Sequence, residues 1–158
     1  AKAMEDTAFY RYHRLLSLNE VGGDPRRYGI SPAAFHAANA TRMRHTPHAM
    51  LATSTHDSKR SEDVRARLDV LSEMPQTWAA ALGRWQTLNR PLAERMEVTI
   101  DPQDEYLLYQ TLVGIWPLTA PDETALAALR ERVQGYMLKA LREAKNAHGP
   151  RKQGRLVN

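Results

Sequence analysis

Apolar residues along this chain recur mostly three or four positions apart, the spacing of one helix face rather than the alternation of a strand. Phe9, Tyr12, Leu15 and Leu16 share such a face and predict a helix over residues 6–18, with Phe9 and Tyr12 as core aromatics. Residues 19–28 read as a loop, because Gly22 and Gly23 precede Asp24 and Pro25 and paired glycines tolerate positive φ. Glu20 and Asp24 are there either solvated turn acids or ligands for a hydroxyl. A second helix, 31–45, has Ser31 at its cap and Pro32 at its first position, with Ile30 and Phe35 in the two staple positions. Residues 61–73 form the next, capped by Ser61, with Val64, Leu68 and Leu71 on one face and Arg65 and Arg67 on a solvated charged face. Pro75 opens a helix carrying Trp78, Leu82, Trp85 and Leu88 one turn apart, a packing stripe. Residues 89–100 look loop-like, with a short strand at 97–100. Asp101 and Pro102 open a helix through Leu112, closed by Gly114, Trp116 and Pro117. The longest helix is 121–146, on which Leu126, Leu129, Val133, Met137 and Leu141 make an apolar stripe.

Residues 49–55 break the helical pattern. This short apolar, β-capable run, with Met50 and Leu51, drives into His56, Asp57, Lys59, Arg60, Glu62 and Asp63. A buried parallel strand whose C-terminal end carries chemistry reads this way. The expected order is strand, polar loop, helix, with Asp57 at the mouth of a sheet or barrel. Such a strand normally has neighbours on both sides. Its edges, Met50 and Leu51 then need cover, from self-association or from helices folding over the strand. The fold class is mainly α, with five or six helices and one or two short strands.

Four ordered blocks carry a resemblance. They are Glu5-Asp6-Thr7-Ala8-Phe9-Tyr10-Arg11-Tyr12, Leu18-Asn19-Glu20-Val21-Gly22-Gly23-Asp24-Pro25, Thr53 through Leu68 around His56-Asp57, and Asp104-Glu105-Tyr106-Leu107-Leu108-Tyr109-Gln110-Thr111-Leu112-Val113-Gly114. The third block resembles the α-amylase family, in which a His-Asp pair ends the seventh barrel strand. All four together resemble the maltooligosyl trehalose synthases, over about residues 1–145. That family expects Thr after His-Asp, and Ser58 keeps the hydroxyl. Those enzymes are several times longer, and a complete (β/α)8 barrel needs about 200 residues or more. The resemblance therefore implies a C-terminal-side fragment. Residues 1–60 would be a partial catalytic-barrel segment, 61–145 a helical subdomain and 146–158 a basic, disordered tail.

The chemistry implied is that of retaining glycosidases, in which a carboxylate nucleophile and a carboxylic acid flank the glycosidic bond. The resemblance makes Asp57 a third carboxylate, stabilising the cationic transition state. It makes His56 a hydrogen-bond partner of sugar hydroxyls, and Lys59 and Arg60 donors that grip released glucose. Tyr10 and Tyr12 would bind sugar through their ring faces or phenol hydroxyls. Lys59 and Arg60 fit equally an ion-pair network with Glu62 and Asp63. No motif for nucleophile or acid occurs in this chain; Glu5 and Glu20 are acids outside those motifs. The chain alone is therefore expected to be inactive towards the maltooligosaccharide substrate. No metal or organic cofactor is called for.

Composition narrows the alternatives. A 42% hydrophobic content suits a globular chain, and the absence of cysteine removes disulfide and thiolate chemistry and suits a cytoplasmic setting. No long apolar run points to a membrane. The net charge of +4 comes largely from Arg151, Lys152 and Arg155. Taking those three from 22 basic residues leaves 19 against 18 acidic ones, too even for a nucleic-acid groove. Two other readings stay open. One is a metal-dependent HD-type phosphohydrolase drawing ligands from His36, His45, His48, His56, Asp57 and Asp101. The other is a helical packing module with no catalytic part.

Overall fold

The computed structural model describes residues 8–145. The basic tail and the expected helix start at residue 6 lie outside them. Five helices lie wholly within the described residues, in chain order α1 (Pro32–His45), α2 (Glu62–Asp69), α3 (Pro75–Arg95), α4 (Pro102–Ile115) and α5 (Glu123–Lys145). Short 3-10 turns form at Leu16–Leu18 and Val70–Ser72, residues 8 and 9 are helical, and no strand occurs among the described residues. The mainly helical class is as expected.

α2 is the hub. It packs on α4 and on the Leu16–Leu18 turn. Leu15, Leu16, Leu68, Leu71, Leu107 and Ala140 form one buried cluster, with Val64, Trp78, Val113, Tyr136 and Met137 against it. This core joins the chain's first stretch to the helices beyond residue 61. Gly114 lets α2 and α4 approach closely: a Cβ there would lie 2.7 Å from Val64 Cγ1. α3 reaches α4 through large rings instead. The Trp85 and Tyr109 centroids are 5.2 Å apart, and Trp78 Nε1–H donates to the Tyr106 hydroxyl at 3.1 Å. The tryptophan stripe thus packs as expected, though Leu88 at its end stays exposed.

Three expectations need correction. Of the helix over 6–18, residues 8 and 9 are helical, but the helix ends by Tyr12, whose N–H reaches the Ala8 carbonyl; an irregular stretch follows, then the Leu16–Leu18 turn. Side chains, two of them from α4, replace the helical hydrogen bonds. Gln110 Oε1 accepts from Leu16 N–H at 2.9 Å, Tyr106 donates its hydroxyl to the Arg14 carbonyl at 3.1 Å, and Asn19 Nδ2 donates to the Tyr12 carbonyl at 2.8 Å. A buried backbone needs partners of some kind, and tertiary ones serve.

The loop over 89–100 is half helix. α3 continues through Pro91 to Arg95, held to α4 by Asn89 Nδ2, which donates to the Tyr109 hydroxyl at 2.8 Å. No strand forms at 97–100. Glu97 takes φ +53° and Val98 N–H returns to the Ala93 carbonyl at 3.1 Å, a helix-closing left-handed cap.

The strand over 49–55 is absent as well. Residues 49–55 are irregular and exposed, Met50 wholly so and Leu51 at 71%. A strand needs a neighbour to take its backbone hydrogen bonds, and the described residues supply none. Nor does any described helix cover Met50 and Leu51.

Candidate functional site

His56 and Asp57 sit at the tip of a tight turn. Ser58 N–H donates to the Thr55 carbonyl at 3.1 Å, and Thr55 N–H donates to Ser58 Oγ at 2.9 Å. Ser58 therefore stabilises the turn through its hydroxyl. His56 Nε2 lies 3.3 Å from Asp57 Oδ1, and both side chains are largely in solvent, 92% and 72% exposed. Behind the turn, Ser54 Oγ accepts from Glu62 N–H at 3.0 Å and Ser61 Oγ caps α2 at Val64 N–H. The loop-then-helix order is as the sequence suggests, without the strand before it.

The base of the turn is held from far along the chain. Glu20 accepts the Lys59 N–H with both carboxylate oxygens, at 2.8 and 3.0 Å, and the Arg60 N–H at 3.4 Å. It also accepts Val21 N–H at 2.9 Å and the Arg65 guanidinium at 3.3 Å. Partial burial opposes the charged form. The Lys59, Val21 and Arg60 amides and the Arg65 guanidinium outweigh it and hold the carboxyl below its ordinary range. Arg65 also donates to the Arg60 carbonyl at 3.1 Å and to the Thr53 carbonyl. Arg65 is thus no member of a solvated face. Neither is Arg67, which donates to the Trp116 carbonyl at 2.7 Å at the end of α4. Glu20 sits where it does because the Gly22-Gly23 turn folds back: Gly23 N–H donates to the Glu20 carbonyl at 2.8 Å, with Gly22 at φ +73°.

The other proposed sugar contacts divide. Lys59 Nζ lies 5.2 Å from the centroid of the buried Phe9 ring. The Arg60 guanidinium donates to the Tyr136 hydroxyl on α5 at 2.9 Å. Burial raises the Tyr136 phenol pKa, and the Arg60 charge works against that rise. Tyr10 packs against the core beside these groups. Tyr12 is half-buried, with the Arg14 guanidinium 5.5 Å from its ring centroid. Asp24 pairs with Arg26 at 2.9 Å; hydrogen bonds from Arg26 hold its carboxyl down to about 2.

Among the described residues, no three His, Asp or Glu side chains converge as metal ligands. No described helix is long and apolar enough to cross a membrane. An apolar hollow of about 460 Å³ lies between α3 and α4, lined by Trp85, Leu88, Tyr109, Leu112 and Trp116. Its lining shares no residue with the His56-Asp57 turn. The sequence reading missed Arg65 and Tyr136 as partners of the turn. The only sequence signal for Arg65 was its place one turn after the Ser61 cap.

No protein-family model matches the chain. A Mycobacterium tuberculosis protein that bears the name of a maltooligosyl trehalose synthase is 46% identical over 144 residues, 91% of this chain. The chain spans only 17% of that relative's length. The solved structure of a hypothetical maltooligosyl trehalose synthase from Sulfolobus tokodaii superposes with a TM-score of 0.75 at 43% identity, covering 90% of this chain and 18% of its own. That of maltooligosyltrehalose synthase from Arthrobacter ramosus gives 0.69 at 43%, covering 89% and 16%. Sequence and fold alike match one segment of the maltooligosyl trehalose synthases.

Proposed function

We propose that this chain is the His-Asp segment of a maltooligosyl trehalose synthase. Such an enzyme isomerises the reducing-end α-1,4 linkage of a maltooligosaccharide to an α,α-1,1 linkage. The observation that carries this reading is the agreement of sequence and fold with those enzymes over nine-tenths of the chain. The exposed Asp57 on a turn with a fixed base fits a carboxylate offered to a substrate held elsewhere.

In this reading the nucleophile and the acid come from parts of the enzyme outside this chain. The terminal α-1,4 bond breaks as the nucleophile takes the glycosyl group, and the acid protonates the leaving glucose oxygen. The freed glucose stays bound and turns. Its anomeric hydroxyl then attacks the glycosyl carbon, releasing the nucleophile and returning the proton to the acid's conjugate base. No water is consumed. Asp57 contributes negative charge beside the oxocarbenium-like centre at each step. His56 and Lys59 bind sugar hydroxyls, with Tyr10, Tyr12 and Arg60 around them. Water competes for the same intermediate, so the pocket must grip glucose and exclude solvent.

Residues 1–60 would then complete a barrel, and 61–145 would form a helical subdomain against it. Residues 49–55 would find in the rest of the enzyme the strand neighbours that the described residues do not supply. The phosphohydrolase reading draws no support from the arrangement of the described side chains. By itself the chain should act as a packing module, without turnover.

The test is a segment exchange. The M. tuberculosis relative receives this chain in place of its matching segment and is given maltopentaose. Trehalose-ended product is the expected result, and none from a folded protein would refute the assignment. In the exchanged enzyme, Lys59→Ala should raise free glucose relative to trehalose ends. An unchanged ratio would remove Lys59 from the glucose grip.

A further inference from the structure

We infer that Glu20 and Arg65 are positioning residues for the His56-Asp57 turn, clasping its base so that the exposed carboxylate keeps one place. This rests on the role proposed above for Asp57. Neither residue need touch substrate.

A solvated turn acid would keep its contacts local. Glu20 instead accepts hydrogen bonds from Lys59, Arg60 and Arg65, 39 to 45 positions away. Its side chain and that of Arg65 are each only 21% exposed. The two carboxylate oxygens grip consecutive amides, so the peptide between residues 59 and 60 cannot rotate without losing at least one bond. Arg65 closes the other side. One guanidinium reaches the Thr53 carbonyl before the turn, the Arg60 carbonyl after it, and Glu20 itself. Both feet of the 53–60 excursion are therefore fixed by one charged pair, while the tip carrying His56 and Asp57 makes few contacts of its own. The planar, five-donor fork of arginine suits three acceptors at once, and lysine cannot span them. The separation of parts makes sense for an electrostatic catalyst: the carboxylate stays open to substrate and its backbone is held from behind. A displacement of about 1 Å at such a group can cost roughly 100-fold in rate.

The test has two readouts. In the full chain, Glu20→Gln should speed amide hydrogen exchange at Lys59 and Arg60 at least about tenfold, with α4 amides unchanged. Exchange that stays the same at both amides would overturn the clasp, whatever the enzyme does. In the exchanged enzyme, Glu20→Gln and Arg65→Lys should each lower kcat about 10- to 100-fold with KM within about threefold. Placed on Asp57→Asn, either should lower it no further, because it acts through Asp57. A full multiplicative loss on that background would overturn the positioning role and mark general damage. An exchanged enzyme with no activity before any point substitution refutes the parent reading and the positioning role with it, while the amide-exchange result still decides the clasp.

Discussion

α1 and α4 are each 14 residues long, and each opens with a polar cap and a first-position proline. Ser31 Oγ accepts Ala34 N–H at 3.2 Å, and Asp101 Oδ1 accepts Gln103 N–H at 2.8 Å. There the likeness stops. α4 buries Leu107, Tyr109, Gln110, Thr111 and Gly114, whereas α1 buries no residue at all. Five alanines and a basic last turn are enough to make α1 helical, through propensity and the helix dipole. Nothing on α1 repeats as a broad apolar stripe; Phe35 and Met43 stand in solvent at 53% and 70%. Caps decide where a helix starts, and the stripe decides whether it enters this core.

The largest separation between the two helices should come from core truncation. Leu107→Ala should destabilise the chain by about 2–5 kcal/mol in urea unfolding, and Phe35→Ala by no more than about 0.5 kcal/mol. Equal losses would show that α1 is part of the cooperative unit. The next effect is steric. Gly114→Ala drives a methyl into Val64 and should cost about 1–3 kcal/mol. Gly135→Ala on α5 meets nothing within 4 Å and should gain up to about 1 kcal/mol from helix propensity. If both changes gave the same sign, the close approach of α2 and α4 would be wrong.

The caps should separate the helices by readout. Asp101→Ala should lower the global unfolding free energy by about 1 kcal/mol. Ser31→Ala should lose a similar local amount, seen as reduced helical circular dichroism with an unmoved unfolding midpoint. A shifted midpoint for Ser31→Ala would again tie α1 to the core.

The smallest effect expected is that of pH. His13 is buried, and its Nδ1–H donates to the Gln103 carbonyl of α4 at 3.1 Å. Desolvation is the main cause of its lowered pKa, below the ordinary 6.5, against the raising effect of that hydrogen bond. The unfolded chain therefore takes up the proton first on acidification. Stability from this group is complete above about pH 6.5 and falls as pH drops towards the lowered folded value. Glu20 adds a second loss below its ordinary 4.5, for the same reason of sign. His13→Gln should flatten the first fall and leave the second. An unchanged profile would mean that His13 is not neutral in the folded core.

Local signals carried much of this fold. Ser31, Ser61 and Asp101 cap the helices they were expected to cap. The stripes over 61–73 and on α5 point Leu68, Leu71, Leu129 and Val133 inward, though Leu126 stays exposed. Two of the misses share one cause, a partner distant in sequence, whereas at 97–100 a local left-handed cap at Glu97 replaces the strand. Residues 9–19 have helical spacing, yet the distant Gln110 and Tyr106 satisfy part of their backbone in another shape. Residues 49–55 have strand composition, but a strand is a property of a pair. At the candidate site, the turn chemistry around Gly22 and the His-Asp pair could be read directly. The clasp could not, because nothing local distinguishes Glu20 from a solvated acid or Arg65 from a surface arginine.

The central claim concerns Asp57, and the exchanged enzyme tests it most directly. Asp57→Asn keeps the side chain's size and removes its charge. With the fold checked by circular dichroism, kcat for forming trehalose ends from maltopentaose should fall about 100- to 1,000-fold, roughly 2.7–4 kcal/mol of transition-state stabilisation. Near-normal turnover in that variant would contradict the assignment.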